Sequence, residues 1–398
     1  MSKSIRVKGF FKDVKGINRI VGLREENRVK ASAEPDPKDF VTDMANFLHP
    51  GYRDVKVVKI RRTSPTALTF RFRPLEGEIP FFQSGQYVSF RLKIGGSILT
   101  RPYSISSAPC DARGKDGFFE VTIRRNVSYL VPDYFFENVK EGDVLSADLP
   151  FGSFYWEPLR DTKNIVALAG GAGITPFFSM AGEIARGKMK GCRLTILYGS
   201  AREDDIVLRE DLEALEKECP DVKVVNVISD DPGWKGEKGF IGGDIIRKYA
   251  GEDPTFMFCG PYKMFTFVEK AMKELGVQAR RFRHDVVNNP SDARLIPGYP
   301  AGNENKSFKI KVLRGLQEDV IDAKGSESVA VALERSAILI DTHCRNGECG
   351  MCRSQLLSGD IFVSPVGDGR RMMDKEMGWF HACSSWPLSD LTIRIPIM

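Results

Sequence analysis

The chain has 398 residues, a length typical of two or three domains that each bury a hydrophobic core. It contains no apolar run long enough to cross a bilayer and no secretory leader pattern, so we expect a cytoplasmic protein. The net charge of +5 is concentrated in residues 1–30, which carry nine Lys or Arg against three Asp or Glu, so it does not indicate a nucleic-acid partner.

Residues 1–52 form a basic N-terminal extension. Five apolar residues within it fall near helical spacing, namely Val7, Phe10, Val14, Ile17 and Val21. Three glycines in the same segment weaken a helix there. A basic amphipathic helix suits a membrane surface or an acidic partner, but an arm packed on the neighbouring domain is favoured. A second helix is predicted with Asp36 as its cap and Pro37 at its first position, and residues 49–51 are predicted to end it.

Residues 53–158 are predicted to form an antiparallel β-barrel. Four short segments rich in β-branched or aromatic residues are separated by turn residues, at 55–60, 68–72, 87–92 and 119–123. Short strands separated in this way are typical of antiparallel barrels.

Residues 159–288 alternate strand-like and helix-like segments, which predicts a parallel, doubly wound α/β sheet. Strands are expected at 164–169, 192–198, 222–228 and 255–259, and helices at 206–218 and 261–275. Residues 289–305 are rich in Pro, Gly and Asn and are predicted to be a linker.

A glycine-rich segment follows the first of these strands and precedes a helix. It reads Gly170-Gly171-Ala172-Gly173-Ile174-Thr175-Pro176. Free amides at a helix N-terminus attract anions, and proline suits the first position of a helix. Because a lone glycine loop is often only a tight turn, this segment indicates a nucleotide site only together with other motifs.

Four cysteines near the C-terminus have the plant-type spacing of a [2Fe–2S] cluster, with four residues, then two, then a long gap between them. The predicted ligands are Cys344, Cys349, Cys352 and Cys383. Gly347 and Gly350 allow the loop to wrap around the sulfurs. A zinc ribbon would prefer a second Cys-x-x-Cys pair, and zinc or structural thiols remain the alternatives to a cluster.

Residues 306–398 around these cysteines are predicted to be a whole plant-type ferredoxin domain. Alternating strand segments are expected at 307–314 and 391–397, and a helix is expected to start within 329–335. The other four cysteines are scattered and do not suggest a disulfide framework, which favours a reducing compartment.

One more motif, Arg101-Pro102-Tyr103-Ser104, lies in the predicted barrel. Together with the glycine loop, Cys259-Gly260-Pro261 and the four cysteines, it makes residues 53–398 resemble the ferredoxin–NADP reductase superfamily, specifically its members fused to a plant-type ferredoxin. The resemblance implies a flavin-binding barrel, an NAD-binding α/β domain and an α+β ferredoxin domain of the β-grasp type.

The resemblance also implies roles for barrel residues. Arg101 would pair with the flavin pyrophosphate, Tyr103 would pack on the isoalloxazine ring, and Ser104 would donate a hydrogen bond near its N5 atom. Val127 and Ser128 match the position where backbone amides hold the pyrophosphate in members that use FAD. The usual glycine before them is absent, so FMN stays an alternative to FAD.

In the nucleotide domain, the resemblance assigns the glycine loop and Gly260-Pro261 to the nicotinamide site. Cys259 would lie beside the nicotinamide ring, and Ser104, Thr175 and Cys259 would assist hydride transfer. The alternative for Cys259 is a buried core thiol. Relatives often place an acidic or aromatic residue over the flavin at the end of this domain, and no residue of 281–287 can be assigned to that role.

Two carboxylates favour NADH over NADPH. Relatives that use NADPH have Ser-Arg where this chain has Ser229 followed by Asp230 and Asp231. Carboxylates repel a 2′-phosphate but accept hydrogen bonds from a ribose hydroxyl. Basic residues nearby in the sequence keep NADPH as the alternative, and they are Arg202, Lys235 and Lys238.

The expected function is that of an NADH-dependent oxidoreductase that passes electrons through a flavin and a [2Fe–2S] cluster to a partner redox protein. That acceptor would be an oxygenase, a hybrid-cluster-type protein or another metalloprotein. The alternative is an electron-input subunit of a larger redox complex, docked through the basic extension. A redox sensor without turnover is disfavoured because the nucleotide motifs form a complete set.

Overall fold

The computed structural model describes residues 10–31, 39–125, 130–287 and 292–396. The chain divides into two compact units, Met1–Phe47 and Leu48–Met398. None of the helices in the described residues is long and apolar enough to cross a membrane.

Two helices lie in the N-terminal extension, α1 (Phe10–Lys30) and α2 (Phe40–Leu48). The described side chains of α1 and α2 are exposed to solvent. At the start of α2, the carboxylate of Asp39 accepts hydrogen bonds from the backbone N–H groups of Val41 and Thr42, at 3.2 and 3.1 Å. The predicted cap at Asp36 and Pro37 lies outside the described residues.

The first part of the larger unit is a six-stranded antiparallel sheet with the strand order β4-β3-β6-β1-β2-β5. Its elements are β1 (Arg53–Ser64), β2 (Ala67–Pro74), β3 (Tyr87–Ile94), β4 (Ser97–Ser104), β5 (Phe119–Arg124), α3 (Leu130–Glu137) and β6 (Val144–Phe151). A bridge between Ile105 and Val121 joins the two edges of the sheet. The predicted antiparallel barrel is therefore confirmed.

Aromatic side chains fill the barrel. Phe70, Phe72, Phe90 and Phe135 are fully buried, and the ring of Phe135, which α3 provides, packs edge-on against Phe70 at 5.3 Å between centroids. Burying such rings dominates the energetics of a small core. The core thus holds α3 against the barrel beside strand β4.

The second part is a parallel six-stranded sheet with the order β10-β9-β8-β7-β11-β12. Its strands are β7 (Asn164–Gly170), β8 (Arg193–Ser200), β9 (Val222–Ile228), β10 (Glu237–Lys238), β11 (Thr255–Pro261) and β12 (Phe282–Val287). Its helices are α4 (Thr175–Ala185), α5 (Arg209–Glu218), α6 (Gly243–Tyr249) and α7 (Tyr262–Glu274). The doubly wound sheet is confirmed, although β10 and β12 were not expected.

The helix predicted at 206–218 begins later in the structure, at Arg209. Residues Glu203–Asp205 form a separate 3-10 turn, and Leu208 before the helix has a left-handed backbone with φ of 60°. The backbone N–H of Leu208 donates to the carbonyl of Thr63 in the barrel at 3.3 Å. This tertiary contact, which periodicity does not reveal, breaks the helical pattern.

The third part is a five-stranded mixed sheet with the order β14-β13-β19-β15-β17, accompanied by a two-stranded β16-β18 sheet. Its strands are β13 (Ser307–Arg314), β14 (Gln317–Lys324), β15 (Arg353–Ser358), β16 (Ile361–Val363), β17 (Trp379–His381), β18 (Ser385–Pro387) and β19 (Leu391–Arg394). Helices α8 (Val329–Arg335) and α9 (Met372–Glu376) complete it, and α8 covers the whole segment predicted to start a helix.

The predicted linker is not an extended tether over its described part. Ala293 and Ile296 are buried, and they form a small apolar cluster with Trp386 of the third part. The hydroxyl of Tyr299 donates to the carbonyl of Gly325 at 2.7 Å. The linker therefore packs against the C-terminal part, while the domain boundaries drawn from the sequence remain predictions.

Candidate functional site

One cavity of about 1920 Å³ is lined by residues of all three parts of the larger unit. Many of the predicted cofactor residues line it, namely Arg101, Pro102, Tyr103, Ser104, Gly170, Gly171, Gly173, Thr175, Pro261, Cys344 and Cys383. Ile174, Pro176, Asp230, Cys259 and Gly260 belong to adjoining backbone segments without lining the cavity. Val127 and Ser128 lie outside the described residues.

The glycine loop lies where the strand order of the parallel sheet reverses. β7 pairs with β8 on one side and with β11 on the other, and ligands of doubly wound sheets bind at such a switch point. Helix α4 begins directly after the loop, with Pro176 in its first turn. The predicted loop therefore occupies the position where a nucleotide can meet free backbone amides.

Close backbone packing explains why glycines are needed there. A Cβ atom at Gly173 would lie 2.1 Å from the carbonyl oxygen of Cys259, and one at Gly170 would lie 2.5 Å from the Sδ atom of Met264. Both distances are below any real Cβ contact. The two glycine motifs, one after β7 and one at the end of β11, therefore touch each other and form one wall of the cavity.

Strand β4 presents the barrel motif to the same cavity. The ring of Tyr103 packs edge-on against Phe135, with 5.6 Å between centroids. Burial raises the pKa of the Tyr103 hydroxyl, and it lowers the pKa of the Arg101 guanidinium. The motif thus offers an aromatic ring, a hydroxyl at Ser104 and a half-buried cation along one strand, which fits a flavin and its phosphates.

Cys259 is 1% exposed and belongs to the core cluster of the nucleotide domain. Burial raises the pKa of its thiol well above the ordinary value. Its backbone carbonyl oxygen is the atom that would lie nearest to a Cβ on Gly173 of the glycine loop. These features are those of a core thiol, and the predicted part of Cys259 in hydride transfer stays a prediction.

Asp285 is a cavity residue that could not be assigned from the sequence. Strand β12 pairs with β11 in a register that places Asp285 beside Cys259, and Asp285 lines the cavity. Burial first, and then the charge of Cys344, raise the pKa of this carboxyl to about 6. Strand pairing brings this residue to the cavity, because Asp285 lies toward the carboxyl end of the parallel edge strand β12, and ligands of doubly wound sheets bind beyond the carboxyl ends of the strands.

At the outer rim of the cavity, Phe240 and Phe267 lie with parallel rings, 6.2 Å apart and 6° from coplanar. Both side chains are largely exposed. Ser229 lines the cavity after β9, and the next residue, Asp230, is anchored by its backbone N–H to the carbonyl of Ala201 at 2.8 Å. An exposed aromatic pair is unusual on a surface unless it meets a ligand.

The four predicted cluster cysteines converge, although they come from two distant segments. The thiol of Cys344 lies close to those of Cys349 and Cys383, and the thiol of Cys383 also lies close to that of Cys352. Backbone N–H groups reach the sulfurs as well, from Cys349 to Cys344 at 3.3 Å and from Cys383 to Cys352 at 3.5 Å. None of the eight cysteines, each in the described part of the chain, forms a disulfide.

The loop around these sulfurs has the backbone that a cluster requires. Gly347 and Gly350 have φ of 92° and 76°, and Arg345 has a left-handed φ of 57°. Contacts among the four thiols lower the pKa of Cys344 and Cys352 and raise the pKa of Cys349 and Cys383, so the sulfurs are close enough to act on one another. The residues present therefore fit four-thiolate ligation.

The arrangement also bears on the zinc alternative. Within the described residues, no three or more His, Cys, Asp or Glu side chains are spaced to hold a single metal ion. A two-iron cluster has a different requirement, since its four ligands are shared between two irons. The backbone hydrogen bonds pair Cys349 with Cys344 and Cys383 with Cys352, which agrees with two ligands for each iron.

Three family models match consecutive stretches of the chain. They are an oxidoreductase FAD-binding domain over residues 54–156, an oxidoreductase NAD-binding domain over 167–270 and a 2Fe–2S iron–sulfur cluster binding domain over 315–388. These stretches fall in the antiparallel barrel, the parallel sheet and the mixed sheet respectively.

Similar proteins support the same assignment. The glycine betaine monooxygenase reductase subunit of Chromohalobacter salexigens is 24% identical over 371 residues, which is 88% of this chain and 99% of that protein. NADH-cytochrome b5 reductase 1 of Dictyostelium discoideum is 32% identical over 200 residues, which is 49% of this chain and 68% of that protein.

Among solved structures, phthalate dioxygenase reductase has the same fold, with a TM-score of 0.63 and 18% identity over 87% of this chain and 98% of that one. The protein is thus an NAD(P)H-dependent oxidoreductase with flavin, nucleotide and [2Fe–2S] domains. The chain belongs to the ferredoxin–NADP reductase superfamily, among the members that carry a C-terminal plant-type [2Fe–2S] ferredoxin domain.

Proposed function

We propose that the protein is an NADH-dependent reductase that delivers electrons one at a time to a partner redox protein. The observation that carries this proposal is the single cavity that joins the glycine loop, the flavin strand β4 and two cluster cysteines, Cys344 and Cys383. When bound, a flavin takes a hydride and releases single electrons, and a [2Fe–2S] cluster carries one electron.

The chain itself supplies binding, orientation and shielding. Gly170 and Gly173 let the two glycine motifs pack together as the wall on which a nucleotide would lie, and Ser104 offers a hydroxyl on the flavin side of the cavity. Thr175 is held by its own hydroxyl, which donates to the carbonyl of Ala172 at 3.0 Å and so fixes the first turn of α4. The site residues predicted from the sequence are retained in these roles.

NADH is the favoured donor because the arginine beside Asp230 and Asp231 is already paired with another carboxylate. Arg202 donates to the carboxylate of Asp204 at 3.1 and 3.2 Å, and Asp230 and Asp231 contribute further negative charge beside it. An additional 2′-phosphate would meet these carboxylates without a free guanidinium. Adenine would stack on the aromatic pair of Phe240 and Phe267 at the rim.

FAD is favoured over FMN because the cavity does not end at Arg101. It continues to apolar side chains that would suit an adenosine, namely Ile94, Leu99, Leu130 and Val331. Denaturing the purified holoprotein and weighing the released flavin by mass spectrometry decides between the two. A mass of FMN alone would contradict this assignment without affecting the rest of the proposal.

An oxygenase component is the favoured acceptor, because two relatives are named as the reductases of a monooxygenase and a dioxygenase. Cys349 and its neighbour Met351 are exposed, which gives an acceptor access to that edge of the cluster loop. The second candidate, an electron-input subunit of a larger complex, rests on the exposed basic helix α1. Free thiols agree with a reducing cytoplasm.

The experiment is an anaerobic titration of the purified holoprotein with NADH. Visible absorbance follows the flavin, and electron paramagnetic resonance follows the reduced cluster. Flavin bleaching followed by the signal of a reduced [2Fe–2S] cluster supports the proposal. A cluster that stays oxidised while the flavin is fully reduced contradicts it, because the cluster would then not lie on the electron path.

A further inference from the structure

A buried charge cluster joins the flavin strand to the cluster loop. Glu334, at the end of α8, accepts two hydrogen bonds from Arg345, at 2.6 and 3.1 Å, and two longer ones from Nη1 of Arg101, at 3.3 and 3.5 Å. Only 5% of the Glu334 side chain is exposed, against 10% for Arg345 and 23% for Arg101. One carboxylate therefore lies between two guanidinium groups that belong to different domains.

The two arginines belong to the two cofactor sites. Arg101 is part of the predicted flavin motif on β4, and Arg345 directly follows the cluster cysteine Cys344. Because Arg345 has a left-handed backbone, with φ of 57°, contacts of its side chain must compensate for that strain. Glu334 supplies two of these contacts and so fixes the start of the cluster loop.

Hydrogen bonds between uncharged groups also connect strand β4 to the ferredoxin domain. Thr100, next to Arg101, donates from its hydroxyl to the carbonyl of Thr342 at 2.6 Å. The hydroxyl of Ser97 donates to the backbone carbonyl of Glu334 itself at 2.8 Å. Residues 97–101 of β4 are therefore attached to the ferredoxin domain at both ends, at Ser97 and at Thr100 with Arg101, and Glu334 takes part in both attachments.

We propose that Glu334 is a positioning residue for electron transfer between the flavin and the cluster, because it holds the cluster loop at a fixed separation from strand β4. This inference rests on the proposed function. Electron transfer between two centres slows steeply as their separation grows, and a carboxylate shared by two cations sets that separation through its hydrogen bonds to both guanidinium groups. Removing it leaves two like charges close together in a buried place.

The test compares Glu334→Gln and Glu334→Ala with the wild-type holoprotein. Anaerobic stopped-flow mixing with NADH separates flavin bleaching from cluster reduction, and iron content together with the resonance signal confirms that the cluster is intact. We expect cluster reduction in Glu334→Ala to slow about tenfold or more relative to flavin bleaching, and Glu334→Gln to fall between that variant and the wild type.

The matched control is Glu318→Gln, since Glu318 is an exposed glutamate of the same domain that pairs with Lys311 at 2.7 Å. It should leave both phases unchanged. Thr342→Val provides a second variant, which removes the Thr342 hydroxyl that contacts the hydroxyl of Thr100 and accepts a hydrogen bond from Arg345 at 3.1 Å, and we expect it to slow the cluster phase about twofold to threefold. It carries the test if the alanine variant does not retain its flavin.

The outcomes distinguish this inference from the proposed function. If NADH fails to reduce the cluster of the wild-type protein, the proposed function is wrong and the role of Glu334 falls with it. If the wild-type cluster is reduced but the ratio of the two phases is unaltered in the Glu334 variants and in Thr342→Val, the proposed function stands and this inference is overturned. A slower cluster phase with full iron content supports both.

Discussion

The cluster loop and the nucleotide–flavin cavity are built in different ways. Three of the four cluster cysteines lie within nine consecutive residues, and the loop obtains its shape from glycines and from Arg345 inside it. The cavity instead takes its walls from all three parts of the larger unit. A local site depends on few residues and fails when one of them is lost, whereas an assembled site distributes its function over many contacts.

The largest effect is expected at the local site, for Cys349→Ser. Without one thiolate the cluster is lost or severely destabilised, so reduction of cytochrome c by NADH should fall about a hundredfold or more. Flavin bleaching by NADH should persist, because the glycine loop and strand β4 are untouched. Cys110→Ser is the control, since Cys110 is a free thiol outside the cluster loop. Cytochrome c reduction that survives without a cluster would place the electron exit at the flavin.

The next effect is expected in the cavity wall, for Gly173→Ala. The new Cβ would lie 2.1 Å from a backbone carbonyl oxygen, so the glycine loop must shift away from β11. A shift of about 1 Å at a reacting site costs about a hundredfold in rate, and we expect a loss of that order in kcat/KM for NADH. Steady-state kinetics with ferricyanide measures it.

Gly243→Ala is the matched control, because a Cβ at Gly243 meets no atom within 4 Å. It should leave kcat/KM for NADH within a factor of about two. Equal kcat/KM values for the two alanine variants would show that contact between the glycine motifs is not needed for nucleotide binding. The assignment of this wall of the cavity to the nicotinamide would then be wrong.

A graded effect is expected for Asp230→Asn. Removing one exposed carboxylate reduces repulsion of a 2′-phosphate, so the preference for NADH over NADPH should drop by about threefold to tenfold. The ratio of kcat/KM for the two nucleotides measures the preference. Asp221→Asn is the control, since Asp221 is exposed at the opposite end of β9. A preference for NADPH in the wild-type protein would contradict the assignment directly.

The smallest effect is expected for deletion of residues 1–47. Every predicted cofactor residue lies in the second compact unit, Leu48–Met398. Ferricyanide reduction and the thermal midpoint of unfolding should therefore stay close to those of the full chain, with rates within about twofold. A large loss of stability would show instead that the extension is a structural arm, as the sequence favoured.

The sequence predicts the local site more completely than the assembled one. The spacing of the cysteines is itself a geometric constraint, and their convergence follows from it. The roles of Arg101 and Tyr103, in contrast, came only from resemblance, because one strand motif does not reveal its neighbours. Asp285 and Glu334 escaped prediction altogether, since strand pairing and domain contact, not local pattern, bring them to the cavity.

Secondary structure shows the same limit. Alternating segments identified the main strands of the barrel and of the parallel sheet, because hydrophobic periodicity is a local property. The two-residue strand β10 and the late start of α5 depend on contacts with distant segments, such as the hydrogen bond from Leu208 to Thr63. Such features become visible only when the chain is folded.

The packed linker has a consequence for how electrons leave the protein. Since Ala293 and Ile296 are buried against Trp386, and Thr100 is hydrogen-bonded to Thr342, the ferredoxin domain is held by both the linker and the flavin barrel. In this arrangement the ferredoxin domain passes electrons on from a fixed position and is not a tethered mobile carrier. Acceptors must therefore come to the protein in turn, and each visit by an acceptor can collect only a single electron.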